Sequence, residues 1–384
     1  MRICNNYHKL VNGHNPWRKI AFSLPWLVLI PIGLFLPQVL QKHSADVERY
    51  YSNGIYPVIK SIIAAVTSLF SFSIAELLLY GLILILPAIA IIKLFLAAFR
   101  RIPWHRVVSY LITIGITGGL LLNMFYLTWG CNYFRAPLSE RMELSIEARS
   151  VEELTTLCTW LASDAAVLRE KLPETTEDVF FYGESRNDVF SQLPQAYRAL
   201  SQKESVFSGK VFGAKPVLWS QGMSWAGIAG IYVGFTAEAN VNVDQPDLFI
   251  AEAAAHEMAH QLGIASENEA EFTAILACLH STNDAIAYSG YMLALTICTN
   301  ALCAADTQAY KTLAANYSEA MLRDLSDYSH YWKQFEGPTK EISNQWNDTY
   351  LKHNAQQSGV KSYGESVDLL LAYFEDTKFF RDTK

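Results

Sequence analysis

The sequence predicts an α+β protein, predominantly helical, in which N-terminal transmembrane helices are followed by a separately folded domain. Three observations carry this expectation. The 384 residues are 51% hydrophobic and only 17% charged, against roughly 25% charged in an average soluble domain. The apolar excess is concentrated in the first third, in long runs almost free of charge. The remainder combines helical apolar spacing with a few short aromatic stretches that read as strands. This composition excludes a disordered chain and argues against one ordinary soluble enzyme. The net charge of −7 and a pI near 5.7 carry no electrostatic footprint for nucleic acid, so none is expected as a partner. Six widely spaced cysteines form no C-x-x-C pair, which suggests neither a thiolate zinc site nor a dense disulfide framework.

Residues 20–40 (IAFSLPWLVLIPIGLFLPQVL) carry no charge and are long enough to cross about 30 Å of hydrocarbon. They exceed a signal-peptide core and lack a clear small-residue cleavage site, so an anchor is expected. A second run, 77–98, is interrupted only by Lys93, and a third, 107–129, has no charged residue at all. The membrane domain is therefore placed at 1–129. Arg2, Lys9, Arg18 and Lys19 precede the first run, and Arg100, Arg101 and Arg106 lie between the second and third. The positive-inside rule puts both segments in the cytoplasm, and three crossings then put residues 130–384 outside. The segment 50–75 is semi-apolar and contains Lys60. It reads as a membrane-surface or partly inserted helix, and a full crossing there would invert the orientation.

From residue 130 charges recur. Helices are expected over 151–171, 249–262, 266–280, 285–304, 307–336 and 365–378, and strands over 177–183, 210–218 and 228–236. Residues 256–260 read His256-Glu257-Met258-Ala259-His260. On a helix, positions i and i+4 share a face, so both imidazoles can hold one Zn²⁺ at about 2.0–2.1 Å. Glu257 is then placed to act on a water at the metal rather than on the metal itself, as a general base does. The preceding alanine-rich stretch is a strong helix former. The bare motif is moderately specific and two histidines can be ordinary surface polars, so the surroundings matter. Gly263 can end the helix in a left-handed cap. Ser266, with Glu269 three residues on, has the pattern of a capping box opening a second helix. That helix offers Glu267, Glu269 and Glu271. A catalytic zinc takes three protein ligands and keeps one position open. Glu267 is preferred as the third ligand, with Glu269 as the alternative, and Glu271 is placed to hydrogen-bond a ligating histidine from behind.

These residues resemble the gluzincin pattern of H-E-x-x-H with a downstream glutamate. The E-x-x-A-E string at 267–271 resembles the corresponding helix of membrane-embedded zincins such as the CAAX-prenyl endopeptidases, although here the glutamate follows His260 sooner than in those families. Longer stretches resemble an uncharacterised family of bacterial membrane-anchored proteins known only as a domain of unknown function with a zinc-peptidase signature. They are WGCNYFRAPL at 129–138, GIYVGFTAEANVN at 230–242, HEMAHQLGIASENEAEF at 256–272, SGYMLAL at 289–295 and YLKHNAQQSGVKSYGESVDLLL at 350–371. The resemblance spans nearly the whole chain. It implies a zincin-like metallopeptidase domain in a bacterial integral-membrane zinc hydrolase.

Other residues have plainer readings beside functional ones. Gly230 and Tyr232 lie in a strand that can pair with extended substrate or be a glycine-bearing core strand. Tyr288 and Tyr291 can supply an oxyanion-stabilising hydroxyl or be aromatic core. His280, Glu238 and Asn240 read as ordinary polars, and a Cys298–Cys303 disulfide is conceivable but not expected. The resulting expectation is a membrane-anchored zinc metallopeptidase of the bacterial inner membrane, with an extracytoplasmic catalytic domain acting on peptides or proteins near the bilayer. The competing readings are a zinc hydrolase of cell-envelope peptides such as peptidoglycan stem peptides, and a non-catalytic, zinc-retaining receptor or scaffold.

Overall fold

The structure is a computed structural model that describes residues 16–147, 149–354, 356 and 365–376. It is mostly helical, with a small three-stranded sheet, and has long apolar helices in its N-terminal half. Among the described residues, four helices are long and apolar enough to cross a membrane: Trp17–Thr67, Ile74–Ala98, Trp104–Thr128 and Asp284–Ala305. The last is mostly buried within the protein and behaves as a core helix.

The chain divides into two compact units. One contains residues up to 39 together with 77–127, and the other contains 40–76 together with 128 onward. In the first unit, Pro25 starts a 3-10 turn at Leu24–Val28 between two helical stretches. Glycine lets the helices approach closely. A Cβ at Gly33 would stand 2.6 Å from Leu122 Cγ, and one at Gly119 would stand 3.0 Å from the Ile30 backbone. The Asn123 amide donates to the Leu29 carbonyl at 2.7 Å, and the Tyr110 hydroxyl to that of Leu86 at 2.9 Å. Small residues and interhelical polar bonds are how apolar helices associate where lipid removes the hydrophobic drive.

In the second unit, helical turns at Val47–Ile55 lead into α1 (Tyr56–Thr67). The core is built by α2 (Val151–Arg169), α3 (Ile250–Gln261), α4 (Glu267–Leu279) and α5 (Asp284–Ala305), and α6 (Pro338–His353) follows. Ser150 and Glu153 form a reciprocal capping box that starts α2. Ala251, Ala253, Ala254 and Ala255 are buried in α3, where small side chains let α4 and the sheet come close. The sheet contains β1 (Lys215–Pro216), β2 (Gly230–Val233) and β3 (Glu238–Val241) in the order β1-β3-β2, with β1 parallel and β2 antiparallel to β3. Tyr232 pairs with Ala239 in this register.

Several expected elements change. Residues 177–183 form only an isolated bridge, Glu174 with Phe180. The Phe180 and Tyr182 N–H groups are taken by the carboxylates of Asp324 and Asp247, which leaves no ladder for a partner strand. The 210–218 strand shrinks to two residues because the Gln261 side chain bonds both the N–H and the carbonyl of Phe212. The 307–336 helix breaks after Ala314 and restarts at Glu319, capped by Ser318. Helices at Arg186–Lys203 and at α6 were not anticipated. The first is capped by Ser185.

Candidate metal centre

The site is made where α3 ends and α4 begins. Gly263 sits at φ +76, and a Cβ there would meet Asn132 Oδ1 at 2.9 Å and Tyr56 Cε1 at 3.0 Å. Only glycine suits both the left-handed turn and that contact. The chain then folds back so that α4 returns a carboxylate to the face of α3 that carries the two histidines.

The Glu267 carboxylate oxygen Oε2 lies 3.0 Å from His256 Nε2 and 3.7 Å from His260 Nε2. One donor atom from each of the three side chains lies within 4.8 Å of the others, so the group can hold a metal ion. His260 is aimed from behind. Its Nδ1 is 2.7 Å from the Ile264 carbonyl, which leaves Nε2 to face Glu267, the usual arrangement behind a ligating imidazole. The His260 carbonyl in turn accepts from the Trp129 indole at 3.2 Å and the Tyr56 hydroxyl at 3.1 Å.

Burial works against every charge here. It pushes the Glu267 carboxyl up, but the bonds and charges of the two imidazoles outweigh it and hold the group well below the usual carboxylate range. Burial lowers His256, yet the bond to Glu267 and the charges of Glu257 and Glu252 carry it up to about 10. Glu257 is buried and its carboxyl is raised, with the histidines pulling the other way. Its side chain lies against β2, close to the Gly230 backbone. A Cβ at Gly230 would stand 2.6 Å from Glu257 Cγ.

His256, Glu257, His260, Glu267, Glu271, Gly230 and Tyr232 all line one cleft of about 670 Å³. Glu271 stands beside the group and accepts from the Ser366 hydroxyl. Burial pushes its carboxyl up to about 7, with the Ser366 bond opposing.

Other expected site residues lie elsewhere. Glu269 is not in the group. It accepts from the Leu138 N–H at 2.6 Å and lies 3.9 Å from Arg141. The expected capping box is therefore absent, and the Ser266 hydroxyl turns to the Asn268 side chain instead. Tyr288 is fully buried and donates to Asp324 at 2.7 Å, and Tyr291 packs edge-on against Trp160. Neither lines the cleft, so neither can reach an oxyanion there. Glu238 bonds Lys215 at 2.6 Å and the N–H of Ala75 at 2.8 Å, which makes it an internal anchor. Cys298 and Cys303 are free thiols.

The cleft also uses residues that sequence reasoning passed over. Glu252 lines it one helical turn before His256, and burial pushes its carboxyl up to about 8. Its i−4 position placed it on the histidine face and was the available signal. Trp129, Tyr133, Trp346 and Tyr350 supply aromatic wall. Their convergence depends on tertiary contacts such as the 3.2 Å bond between the Tyr133 and Tyr350 hydroxyls, which no local pattern encodes.

The fold and site together define a mostly helical protein with long apolar helices and a buried His–His–Glu group that fits H-E-x-x-H plus glutamate and can hold a metal ion. Over residues 51–371 the chain matches the family described as a protein of unknown function, DUF3810, and it belongs to that family. No curated protein and no solved structure matches it.

Proposed function

We propose that the protein is a membrane-anchored, zinc-dependent metallopeptidase whose catalytic unit faces outward from a bacterial inner membrane. The observation that carries this reading is the meeting of His256, His260 and Glu267 in a cleft that also holds Glu257. Two nitrogens and one carboxylate oxygen are a zinc donor set, and the spacing on α3 keeps Glu257 out of that set while leaving it in the same cleft. Held there, a zinc ion would acidify water and polarise a peptide carbonyl.

The chain's own residues account for the remaining requirements. Glu257 receives a proton at its carboxylate and delivers it to the departing amine. Burial raises its proton affinity, which suits a base that must also act as an acid. Contact with β2 at Gly230 fixes the direction of that carboxylate. β2 is an edge strand among the described residues, and it lines the cleft, so extended polypeptide can dock along it by backbone pairing. The aromatic walls of Trp129, Tyr133, Trp346 and Tyr350 offer apolar surface to substrate side chains. A glutamate at position 257 has no use in a purely structural zinc site, which favours catalysis over a scaffold role. The basic cluster Arg100, Arg101 and Arg106 between two apolar helices, which the positive-inside rule assigns to the cytoplasm, supports the outward orientation.

The test uses the full chain in detergent micelles. Metal content and hydrolysis of a peptide library are measured for wild type and Glu257→Gln. Zinc near one equivalent in both, with hydrolysis only in wild type, is the expected result. A Glu257→Gln protein as active as wild type would overturn the mechanism.

A further inference from the structure

The helical segment 47–67 has two unlike faces. Tyr51, Ser52, Tyr56, Lys60, Ala64 and Thr67 are buried, whereas Ile55, Val58, Ile62 and Val66 are all more than half exposed, up to 64%. Spacings of three and four place the exposed four on one stripe, and Leu69, just beyond, is 80% exposed. An amphipathic helix on a water-facing protein shows the opposite pattern, with its apolar stripe inward. Something apolar covers this one.

The chain indicates what covers it. Upstream, the segment follows the apolar run that ends at Leu40. Downstream, residues 68–73 alone separate Thr67 from Ile74, the start of the next apolar helix, and six residues reach at most about 20 Å. Both ends are therefore tethered to the bilayer. The segment does not cross it, because its inner face is bonded along its length to polar groups of its own unit. Ser52 donates to Asn132 at 2.9 Å, Tyr56 to the His260 and Gln261 carbonyls at 3.1 Å, Lys60 to the Lys210 carbonyl, and Thr67 to that of Thr236 at 2.9 Å. Glu48 on the same segment pairs with Arg135 at 2.8 Å. A crossing would carry all of these into hydrocarbon, where ionisable groups are expensive. A second feature points the same way. Glu76, in the first turn of Ile74–Tyr80, accepts the N–H groups of Leu218 and Trp219, and both of those side chains are more than half exposed. Tryptophan is favoured at headgroup level.

We propose that α1 is an in-plane membrane-surface helix, with Val58, Ile62 and Val66 in the lipid interface, and that it seats the metal centre on the bilayer. This rests on the membrane-anchored reading above. Through Tyr56, α1 carries the end of α3, so His256, His260 and Glu267 stand about one helix diameter, roughly 10 Å, above the lipid. The substrates reachable from there are membrane-proximal stretches of anchored polypeptides.

The test places a spin label singly at Val58, Ile62, Val66 and Phe35 of the full chain in nanodiscs of neutral and anionic phospholipid. Accessibility to oxygen and to a water-soluble nickel chelate gives depth, and wild type taken through the same labelling gives the background from native cysteines. Zinc content equal to wild type shows that each variant is folded. The expected result is one shared depth for 58, 62 and 66, about 5–10 Å below the headgroups. Depth changing steadily from 58 to 66 means a crossing helix, water exposure means no lipid contact, and protection from both reagents means cover by a second copy. Each of these overturns the proposal. Phe35 separates the two ideas, since a water-exposed label there would overturn the anchoring itself.

Discussion

Gly230 and Glu257 compete for one volume: a Cβ built on the glycine would stand 2.6 Å from Glu257 Cγ and 2.7 Å from its Oε1. The carboxylate is thus held flat against β2 because residue 230 has no side chain. Gly230→Ala is expected to push Glu257 off that strand while leaving the His–His–Glu group intact. Metal content should stay at the wild-type level and kcat should fall at least tenfold, as misplacement by about 1 Å costs that or more. Unchanged turnover in Gly230→Ala would mean that the contact does not position Glu257.

Glu267 and Glu269 separate cleanly by experiment. Glu267→Ala removes the carboxylate that faces both imidazoles and should abolish stoichiometric metal binding, read by metal analysis after dialysis. Glu269→Ala should keep the metal. It leaves the Leu138 N–H without its acceptor, so it should lower unfolding stability by about 1–3 kcal/mol. Metal loss in Glu269→Ala with retention in Glu267→Ala would reverse the assignment.

Much of this site was legible because it is local. The i, i+4 histidines, the glycine turn and the glutamate four positions beyond it need only helix geometry and one reversal, and the preference for Glu267 came from that alone. Glu269 is the weaker alternative, because in sequence it completes a capping box. What occupies it is the Leu138 N–H, 131 residues away in the chain. The two readings of Tyr288 are separated in the same way. It follows the metal helices closely in sequence, but its hydroxyl is drawn to Asp324 from a later helix. The long apolar runs were plain from composition. The place of 50–75 was not, because a stripe of Ile and Val is equally consistent with a protein core and with lipid. Lys60 decides part of the matter only once its carbonyl partner at Lys210 is known.

Tyr288→Phe therefore makes a useful contrast. It removes a donor from a buried aspartate that Arg169 also holds, at 2.6 Å. The expected cost is about 1–2 kcal/mol in unfolding stability, with kcat and KM unchanged. A selective loss of kcat would restore an oxyanion role for this tyrosine.

Glu271 yields a prediction with a definite sign. Burial lifts its carboxyl from 4.5 to about 7, the Ser366 hydroxyl and the His256 charge opposing. Between those values the unfolded chain has lost the proton and the folded chain still holds it. The folded state then binds more protons, so stability falls as pH rises through this window and levels off above it. Glutamine keeps an acceptor for Ser366 but cannot ionise. In chelator-treated protein, the denaturation midpoint of wild type should drop relative to Glu271→Gln between pH 5 and pH 7, a window about set by the two values. Parallel curves for the two proteins would show that the folded carboxyl ionises as readily as the unfolded one, and that Ser366 and the neighbouring imidazoles compensate fully for its burial.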